Sequence, residues 1–409
     1  MSAETVTTGL SADPAHVPSE LVRDFDLAGL SGSAECPYSR LSRLRGEARI
    51  IYTPPSAFQP AGSWLLTHAE DIRSVLQQPE TFSSDGIAGF SRLVGENWPL
   101  IPLELDPPQH EKFRAILNGI FAPKKIAAME EGVRARAAGL IDAVKDERRC
   151  EFVEAFGRPF PVSIFMQLMG LPDEDMGMLN GWEFDLLHSR DMESRFRGAR
   201  GFLDYLRALI LKRRSEPADD LTTFVVQSQV DGRPLTDDEV MGVCYLLVVA
   251  GLDTVASSLS LHFRHLAQNP DDQARLRADP SLIPSAVEEF LRRYGIVSTS
   301  RFATRDAEIA GVKIKAGDRV AVLTQLASLD PDEFENPLEV DIERTPNRHV
   351  AFSYGPHRCI GSHLARRELV IAIEEWLKRV PPFRIADGAE VPIATGGLLH
   401  VAELPLVWG

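Results

Sequence analysis

Residues 352–361 read Phe352-Ser-Tyr-Gly-Pro-His-Arg-Cys359-Ile-Gly361, and a run of helix-forming residues follows them. A cysteine directly before a helix lies near unpaired backbone N–H groups and the positive end of the helix dipole, and both favour the thiolate. Gly355 and Gly361 permit a tight loop and the close approach of a flat partner to the backbone. A thiolate ligand to a haem iron requires this combination, so Cys359 is the predicted ligand.

Two other interpretations of this loop remain open on its residues alone. A lone cysteine near a helix start is commonly a buried, small apolar side chain. His357, Cys359 and His363 are also close enough in sequence to suggest zinc. Structural zinc sites use four ligands, often from Cys-x-x-Cys pairs, and the chain has no such pair. The haem-thiolate interpretation is favoured over both.

The length and composition indicate a large globular core. The chain has 409 residues, of which 44% are hydrophobic and 25% are charged. No linker, low-complexity stretch or internal repeat divides it, so we expect one domain over residues 1–409, with residues 1 to about 45 as a loosely packed arm. The formal net charge of −15 disfavours nucleic acid as a partner, because phosphate binding needs a basic surface.

Cysteine usage and hydropathy point to the cytoplasm. The four cysteines are scattered along the chain, which suits a reducing compartment and not a disulfide scaffold. The first residues have neither the basic region nor the apolar region of a signal peptide. The longest apolar stretch, from Val243 to Leu252, has about ten residues, whereas a membrane span needs about twenty. We therefore expect a cytoplasmic monomer that is not bound to a membrane.

Helical periodicity appears at Gln109–Phe121 and dominates from Lys124 to Arg214, and further helices follow, which predicts a mainly α fold with a smaller β-rich region. Capping boxes at Thr67–Glu70 and Thr236–Glu239 each predict a helix start. The second begins a periodic run to Ala267, about thirty residues or about 45 Å at ~1.5 Å per residue. The irregular stretch from Phe82 to Pro102 is a candidate lid. Strands are predicted at 48–53, 63–67, 300–304, 307–314 and 319–323, and near Phe383, Val391 and Leu404.

The long helix contains a segment that breaks helix rules, Val249-Ala-Gly-Leu-Asp-Thr254. Gly251 costs about 1 kcal/mol relative to alanine in a helix interior. Asp253 places a carboxylate in an apolar run, where burial is costly unless the charge is paired. Thr254 can donate to a carbonyl one turn earlier and distort the helix. Rule-breaking of this kind often marks function, although a tolerated glycine and an exposed aspartate would explain it equally well.

A charged pair, Glu289 and Arg292, lies at i, i+3 on a later helix. Without further context such a pair is usually a surface ion pair that contributes a few tenths of a kcal/mol, roughly 0.2–0.5.

Together these patterns resemble those of the cytochrome P-450 superfamily, and their order and spacing agree over nearly the whole chain. The haem-loop pattern is matched by Phe352, Gly355, Cys359 and Gly361; the long-helix pattern by Ala250, Gly251, Asp253 and Thr254; and a structural triad by Glu289, Arg292 and Arg344. Within the superfamily the chain looks closest to the camphor hydroxylase group, through stretches such as Gly251-Leu-Asp-Thr-Val and Glu288-Glu-Phe-Leu-Arg-Arg.

The resemblance implies the cytochrome P-450 fold, with a long central helix across haem b, and monooxygenation with O2 as co-substrate. Cys359 would be the axial ligand of the iron and donate electron density to it. Asp253 and Thr254 would organise proton delivery, and Gly251 would leave room for O2. By family position, the haem propionates would be met by His110, Arg114, Arg301 and His357, which are the cationic donors that buried carboxylates need.

The resemblance also implies an apolar substrate pocket, with two departures from camphor hydroxylase. Trp98 stands where that enzyme holds the camphor ketone with a tyrosine hydroxyl, and Thr299 replaces an aspartate common in the family two residues before Arg301. The expected pocket residues are Trp98, Leu100, Leu103, Leu246, Val249, Ala250, Val297 and Leu398. We therefore expect a small terpenoid-sized substrate, a monoterpenoid or norisoprenoid, and not camphor.

The electrons must come from another protein, because the chain has no Gly-x-Gly-x-x-Gly nucleotide fingerprint. The resemblance implies a two-iron ferredoxin, reduced by an NAD(P)H-dependent ferredoxin reductase. Arg73, Arg114 and Arg358 are candidates for its docking patch. A haem-thiolate peroxygenase or isomerase is the alternative enzyme, which the intact Asp253-Thr254 pair disfavours. A haem-based gas sensor is a further alternative, but no output domain is visible.

Overall fold

The computed structural model of the chain describes residues 15–30, 35–55 and 62–409. These residues form sixteen α-helices and twelve mostly short strands, so the prediction of a mainly α fold with a smaller β-rich region is confirmed. The helices are α1 (Pro37–Glu47), α2 (Ala69–Leu76), α3 (Phe90–Leu93), α4 (Gln109–Asn118), α5 (Pro123–Ala128), α6 (Glu130–Asp142), α7 (Pro159–Met169), α8 (Met176–Leu187), α9 (Met192–Ser215), α10 (Leu221–Gln227), α11 (Asp237–Leu252), α12 (Thr254–Gln268), α13 (Pro270–Ala278), α14 (Ile283–Arg293), α15 (Thr324–Ser328) and α16 (Ser362–Arg379).

The strands of the described residues form four small sheets. They are β1 (Ile50–Thr53), β2 (Ser63–Leu66), β3 (Phe82–Ser83), β4 (Arg149–Glu151), β5 (Gln229–Val230), β6 (Arg233–Pro234), β7 (Ser298–Ala303), β8 (Ala307–Ile309), β9 (Val312–Ile314), β10 (Arg319–Leu323), β11 (Phe383–Ile385) and β12 (Pro405–Trp408). The largest sheet has the order β1-β2-β10-β7-β3, and a second has the order β11-β12-β4. The remaining two are the hairpins β5-β6 and β8-β9. The strand expected near Val391 is absent; that part of the chain makes an isolated bridge between Ala394 and His400 instead.

Buried apolar side chains form two clusters. The larger lies among the helices, where the ring of Phe152 stacks on that of Phe263 with centroids 4.2 Å apart and meets Trp376 edge-on. The smaller surrounds the five-stranded sheet and includes Trp64, which has no exposed surface. Phe263 belongs to α12, so the long helix runs through the larger cluster.

The N-terminal arm is packed more firmly than expected. Helix α1 buries Tyr38, Leu41 and Leu44 completely. The Tyr38 hydroxyl donates to the carbonyl of Gly295 at 3.0 Å. The prediction of a loose arm is thus wrong for α1, because these apolar side chains fill the core. Residues 1–14 and 31–34 lie outside the described residues.

One of the two predicted capping boxes is correct. The Thr236 hydroxyl accepts from the Glu239 N–H at 3.2 Å, and the Glu239 carboxylate accepts from the Thr236 N–H at 2.7 Å. The box at Thr67 is wrong, because α2 begins at Ala69 and the carboxylate of Asp330 accepts from the Ala69 N–H at 2.8 Å. The Thr67 hydroxyl donates instead to the Ala48 carbonyl at 2.8 Å.

The predicted long helix spans residues 237–268 as α11 and α12, interrupted at Asp253. By length and composition it could cross a membrane, but 72% of its most apolar window is buried inside the fold. A mostly buried apolar helix is the core helix of a globular protein.

Candidate active site

The loop that carries Cys359 is held between α2 and α16. The Cys359 N–H donates to the Phe352 carbonyl at 2.9 Å. Gly355 has φ +70°, and a Cβ there would lie 2.3 Å from the Leu76 carbonyl oxygen. Both the φ angle and the contact with α2 therefore require glycine here, as the predicted tight loop does, and the approach of a flat partner stays a prediction. Gly361, before α16, would place a Cβ 3.9 Å from the Cys359 sulfur, an ordinary contact.

The Cys359 thiol has solvent-accessible surface although protein surrounds it closely. Burial raises its pKa, and the Gly361 N–H and the charges of Arg114 and Arg366 oppose that rise without reversing it. The expectation of a lowered pKa is therefore wrong for the protein alone, because burial outweighs the helix start. A metal cation deprotonates a coordinating thiol regardless of this preference.

Four basic side chains that the sequence separates by up to 247 positions, from residue 110 to residue 357, meet beside this loop. The rings of His110 and His357 have centroids 4.2 Å apart. The buried guanidinium of Arg301 donates to its neighbour's carbonyl, Ser300, at 2.7 Å. Arg114 donates to the Arg358 carbonyl at 2.5 Å.

Burial, and then the charges of the two arginines, lowers the pKa of both histidines. Burial, with the charges of Arg301, His110 and Arg114, lowers the pKa of His357 to about 3. Burial lowers the pKa of Arg301 to about 10, so it remains cationic at neutral pH, and lowers the pKa of Arg114 as well. Neither arginine pairs with a carboxylate within 4 Å in the described part of the chain. Both ring nitrogens of His110 are buried without a hydrogen-bond partner.

Arg301 is a buried cation and Arg114 a half-buried one, neither with an anion, and His110 lacks hydrogen-bond partners. Two carboxylates would satisfy these groups. The propionates of a haem would supply such a pair, and the accessible thiol in the adjoining loop would ligate its iron. The residues present therefore fit haem: His110, Arg114, Arg301 and His357 would hold the propionates, and Cys359 the iron.

The long helix is interrupted at the segment that the sequence shows to break helix rules. The Thr254 hydroxyl donates to the Ala250 carbonyl at 3.0 Å, and Asp253, with φ −113° and ψ −31°, is the residue at which α11 ends and after which α12 begins. Leu246, Ala250 and Thr254 are accessible, whereas the residues around them on the helix are mostly buried. Because residues four apart share one helix face, these three form an accessible stripe on a core helix.

Gly251 does not leave the open space beside the helix that was expected of it. A Cβ at Gly251 would lie 2.4 Å from the ring of Phe165 on α7. The space left by the missing side chain is filled by that ring, so the prediction that Gly251 makes room for O2 is wrong. Ala250 is the exposed residue at this point of the helix.

Asp253 is buried and paired, which excludes an aspartate on the wet side of the helix. Its carboxylate accepts from His188 Nε2 at 2.8 Å and from Ser257 Oγ at 2.9 Å. Glu183 Oε1 lies 3.6 Å from the same histidine nitrogen, and the His400 ring lies 4.4 Å from the His188 ring. Sequence reasoning missed both hydrogen-bond partners of Asp253, although a carboxylate in an apolar run signals that partners must exist.

The structure brings Glu289, Arg292 and Arg344 together in the interior. Arg292 donates twice to the Glu289 carboxylate, at 2.7 Å each, and neither side chain is exposed. Arg344 Nε donates to both Glu289 oxygens at 3.1 Å. Asn347 Nδ2 and the Asp341 N–H donate to the same carboxylate at 3.0 Å. A surface ion pair is therefore excluded.

The expected pocket residues divide into two groups. The residues with accessible surface are Leu103, Leu246, Ala250 and Val297. Val297 forms a backbone bridge with Leu398. Leu398 and Val249 are nearly buried, with 9% and 8% of their surface exposed. Leu100 is 1% exposed and packs in the core, so its place in the pocket wall stays a prediction. Trp98 is 3% exposed, its ring lies 5.0 Å from that of Tyr245, and its indole N–H is buried without a partner.

Comparisons with known proteins agree with this arrangement. A model of the family described as cytochrome P450 matches residues 176–382. A protein named probable cytochrome P450 127A1, from Sinorhizobium fredii, is 42% identical over 402 residues, covering 97% of this chain and 96% of its own. A steroid C26-monooxygenase from Mycobacterium tuberculosis is 32% identical over 379 residues, covering 88% of this chain and 94% of its own.

Two crystal structures are similar over the whole fold. That of CYP101J2 superimposes with a TM-score of 0.86 at 34% identity and covers 98% of this chain and 100% of its own. That of cytochrome P450 CYP101C1 gives a TM-score of 0.86 at 33% identity, with 97% and 100% covered. Because the matched ranges include the Cys359 loop, the long helix and the buried Glu289 network, the chain belongs to the cytochrome P450 family and is a haem-dependent monooxygenase.

Proposed function

We propose that this monooxygenase hydroxylates a small apolar substrate, a monoterpenoid or norisoprenoid other than camphor, with electrons from a two-iron ferredoxin. The observation that carries the proposal is the accessible stripe of Leu246, Ala250 and Thr254 on the central helix. Leu246 and Ala250 are apolar, and Thr254 at one end of the stripe carries its single hydroxyl. Such a surface selects a ligand by shape and apolar area, at about 25 cal/mol per Å² buried.

The state of Trp98 argues against a ketone-directed site. A buried hydroxyl aimed at a substrate carbonyl contributes roughly 0.5–1.5 kcal/mol net and orients a rigid molecule. The Trp98 N–H is buried beside Tyr245 and has no accessible surface through which to reach a substrate. The tryptophan therefore supplies bulk where camphor hydroxylase supplies a hydrogen bond, which favours hydrocarbon-rich substrates.

The residues around the stripe have separable roles in the proposed reaction. A bound haem would supply O2 activation and the insertion of one oxygen atom into a C–H bond, with electrons from outside. Cys359 would hold the iron, and Arg301 with His110 would orient the haem through its carboxylates. Thr254 would present its hydroxyl at the reacting end, and Asp253 would hold the proton that the hydroxyl passes on.

Electron entry is proposed on the Cys359 side of the molecule. Arg358 is exposed and forms no ion pair with a carboxylate in the described residues, so its charge is available to an acidic ferredoxin. Arg73 and Arg114, expected beside it, are already engaged: Arg73 pairs with Glu333, and Arg114 donates to the Arg358 carbonyl. We infer that Arg358 is the main contact of the three. A cytoplasmic, NAD(P)H-dependent ferredoxin reductase would supply electrons to the ferredoxin.

The test is a substrate screen read by the spin-state shift of the ferric haem, followed by product identification with a ferredoxin and its reductase. We expect tight binding and one main hydroxylated product from a terpene hydrocarbon or norisoprenoid, with weak, poorly regioselective turnover of camphor. Trp98→Tyr should move the ranking toward camphor-like ketones. Trp182→Tyr, at a tryptophan that packs on Phe202 of α9, is the matched control and should leave the ranking unchanged.

Tight camphor binding with one product, or a ranking that Trp98→Tyr does not move, would contradict the proposed substrate class. Product formation with peroxide alone, and none with NAD(P)H and the ferredoxin, would favour the peroxygenase alternative instead.

A further inference from the structure

A buried carboxylate, that of Glu104, is bonded to two parts of the stretch from Phe82 to Pro102, the candidate lid. Glu104 is 3% exposed. Its Oε1 accepts from the Ala88 N–H at 2.8 Å and from the Gly89 N–H at 3.0 Å, and these residues directly precede α3. Its Oε2 accepts from the Leu100 N–H at 2.8 Å, near the end of the stretch. One carboxylate thus joins an early and a late segment of the candidate lid.

The partners of Glu104 are backbone groups and not cations. Among the residues that the structure describes, no arginine, lysine or histidine forms an ion pair with it. Hydrogen bonds to an ionised carboxylate are roughly twice as strong as neutral ones. A buried charge that lost these donors would be costly. The two segments should therefore stay together while the carboxylate remains between them.

The late segment of the candidate lid packs against the central helix. The Ile101 N–H donates to the Gly242 carbonyl at 3.3 Å. A Cβ at Gly242 would lie 2.2 Å from the Pro99 carbonyl oxygen, so the lid backbone occupies the room that a side chain would need. Gly242 lies four residues before Leu246 and eight before Ala250, on the same helix face. The candidate lid therefore covers the end of the accessible stripe that lies away from Thr254.

Two of the expected pocket residues flank these contacts. Trp98 lies two residues before Leu100, and its ring is 5.0 Å from that of Tyr245 on the central helix. Leu103 directly precedes Glu104 and has accessible surface. A shift of the backbone at Leu100 or Glu104 would therefore move part of the expected pocket wall.

We propose that Glu104 is a positioning residue that sets the size of the substrate pocket by holding the candidate lid on the central helix. The proposal rests on the proposed function, because it takes the accessible stripe as the surface that binds the substrate. Glu104 does not touch the substrate in this arrangement. It decides how large a molecule the stripe admits and how fast that molecule leaves, because both require the lid segments to separate from the helix.

A second contact joins the candidate lid to another helix, and it supplies a matched control. Glu96 pairs with Arg207 of α9 at 2.7 Å, and their side chains are 29% and 44% exposed. Exposed ion pairs of this kind contribute little to stability. Glu96→Gln therefore removes a carboxylate from the same stretch without removing the buried bonds, and we expect it to leave the lid as firmly held as in wild type.

The first measurement is hydrogen exchange in the haem-loaded, substrate-free wild type, Glu104→Gln and Glu96→Gln. A glutamine at 104 keeps the size of the side chain, but its amide NH2 would face a backbone N–H and leave it without an acceptor. Local opening of residues 86–101 should become more frequent, and their exchange should be faster by roughly tenfold to a hundredfold. Exchange in α16 should stay at the wild-type rate, which separates a loosened lid from a loosened fold.

The second measurement times the release of two probes that bind a ferric haem iron, imidazole and the larger phenylimidazole, by stopped-flow absorbance. Phenylimidazole should leave Glu104→Gln faster by roughly tenfold, because its exit requires the lid to open. Imidazole should leave at nearly the wild-type rate, because it is small enough to pass a closed lid. A residue with a merely structural role would change the two release rates alike or leave both unchanged.

The proposal is overturned if Glu104→Gln exchanges and releases phenylimidazole at wild-type rates, or if Glu96→Gln has the same effects. If Glu104→Gln does not fold, Glu104→Asp takes its place, since it keeps the charge but is one methylene too short to reach both segments. If neither variant folds, Glu104 is a determinant of folding and the proposal is likewise overturned.

A failure of the proposed function would look different. No terpenoid would give product with any ferredoxin, while the faster exchange and the faster release of phenylimidazole in Glu104→Gln would stand.

Discussion

The carboxylate of Glu289 offers a severe test of how this fold is held together. It has no exposed surface and accepts hydrogen bonds from Arg292, Arg344, Asn347 and the Asp341 N–H. Glu289→Gln keeps the shape of the side chain but leaves the Arg292 guanidinium buried without a counter-charge. Removing one partner of a buried ion pair costs roughly 3–5 kcal/mol. Since whole proteins are stable by only about 5–15 kcal/mol, we expect little folded, haem-loaded protein.

The assay is urea unfolding followed by circular dichroism, with haem content measured on the same samples. The matched control is Glu343→Gln, whose carboxylate is 57% exposed and pairs with Arg275, itself 46% exposed. Exposed pairs of this type contribute about 0–1 kcal/mol, so the control should be near wild type. If Glu289→Gln loses less than about 1 kcal/mol and binds haem normally, the burial argument is wrong.

Three further predictions follow from single contacts. Gly251→Ala adds a methyl group against the Phe165 ring, and overpacking of this kind should destabilise the fold by about 1–3 kcal/mol. The better helix propensity of alanine offsets about 1 kcal/mol of that cost. Urea unfolding measures the net loss of stability, and a stabilised variant would refute the contact. Thr254→Ala should retain haem and substrate binding but divert reductant to peroxide; an unchanged ratio of product to NAD(P)H would exclude its role. Burial raises the pKa of Glu288, but its hydrogen bonds outweigh this and lower the pKa from 4.5 to about 2; its stabilisation should therefore be complete above pH 4.5 and lost as the pH falls toward about 2. Acid titration of stability should be shallower in Glu288→Gln, and an identical curve would contradict this sign.

Much of the fold was predictable because it is encoded locally. The Thr236–Glu239 box starts α11 as expected, since both of its hydrogen bonds lie within four residues. The box at Thr67 failed because a distant carboxylate, that of Asp330, caps α2 instead. Strand β4, 149–151, was missed because its pairing with β12 joins segments about 250 residues apart, and short strands between helices carry little periodic signal.

The candidate site was predictable where a spacing carries the chemistry. Cys359 and Thr254 could be found from their sequence neighbours alone. The partners of Asp253 could not, because His188 and His400 come from distant segments with no motif of their own. Gly251 was misinterpreted for a related reason: only the packing of α7 on α11 shows that Phe165 fills the space beside it.

The central claim is that Cys359 binds the haem iron as a thiolate. The most direct measurement is the absorption spectrum of the reduced, CO-bound protein, in wild type and in Cys359→Ser, with haem content determined separately. We expect that wild type shows the band at the wavelength for which the family is named, and that Cys359→Ser loses this band and its turnover. A Cys359→Ser protein that keeps both the band and turnover would contradict the account.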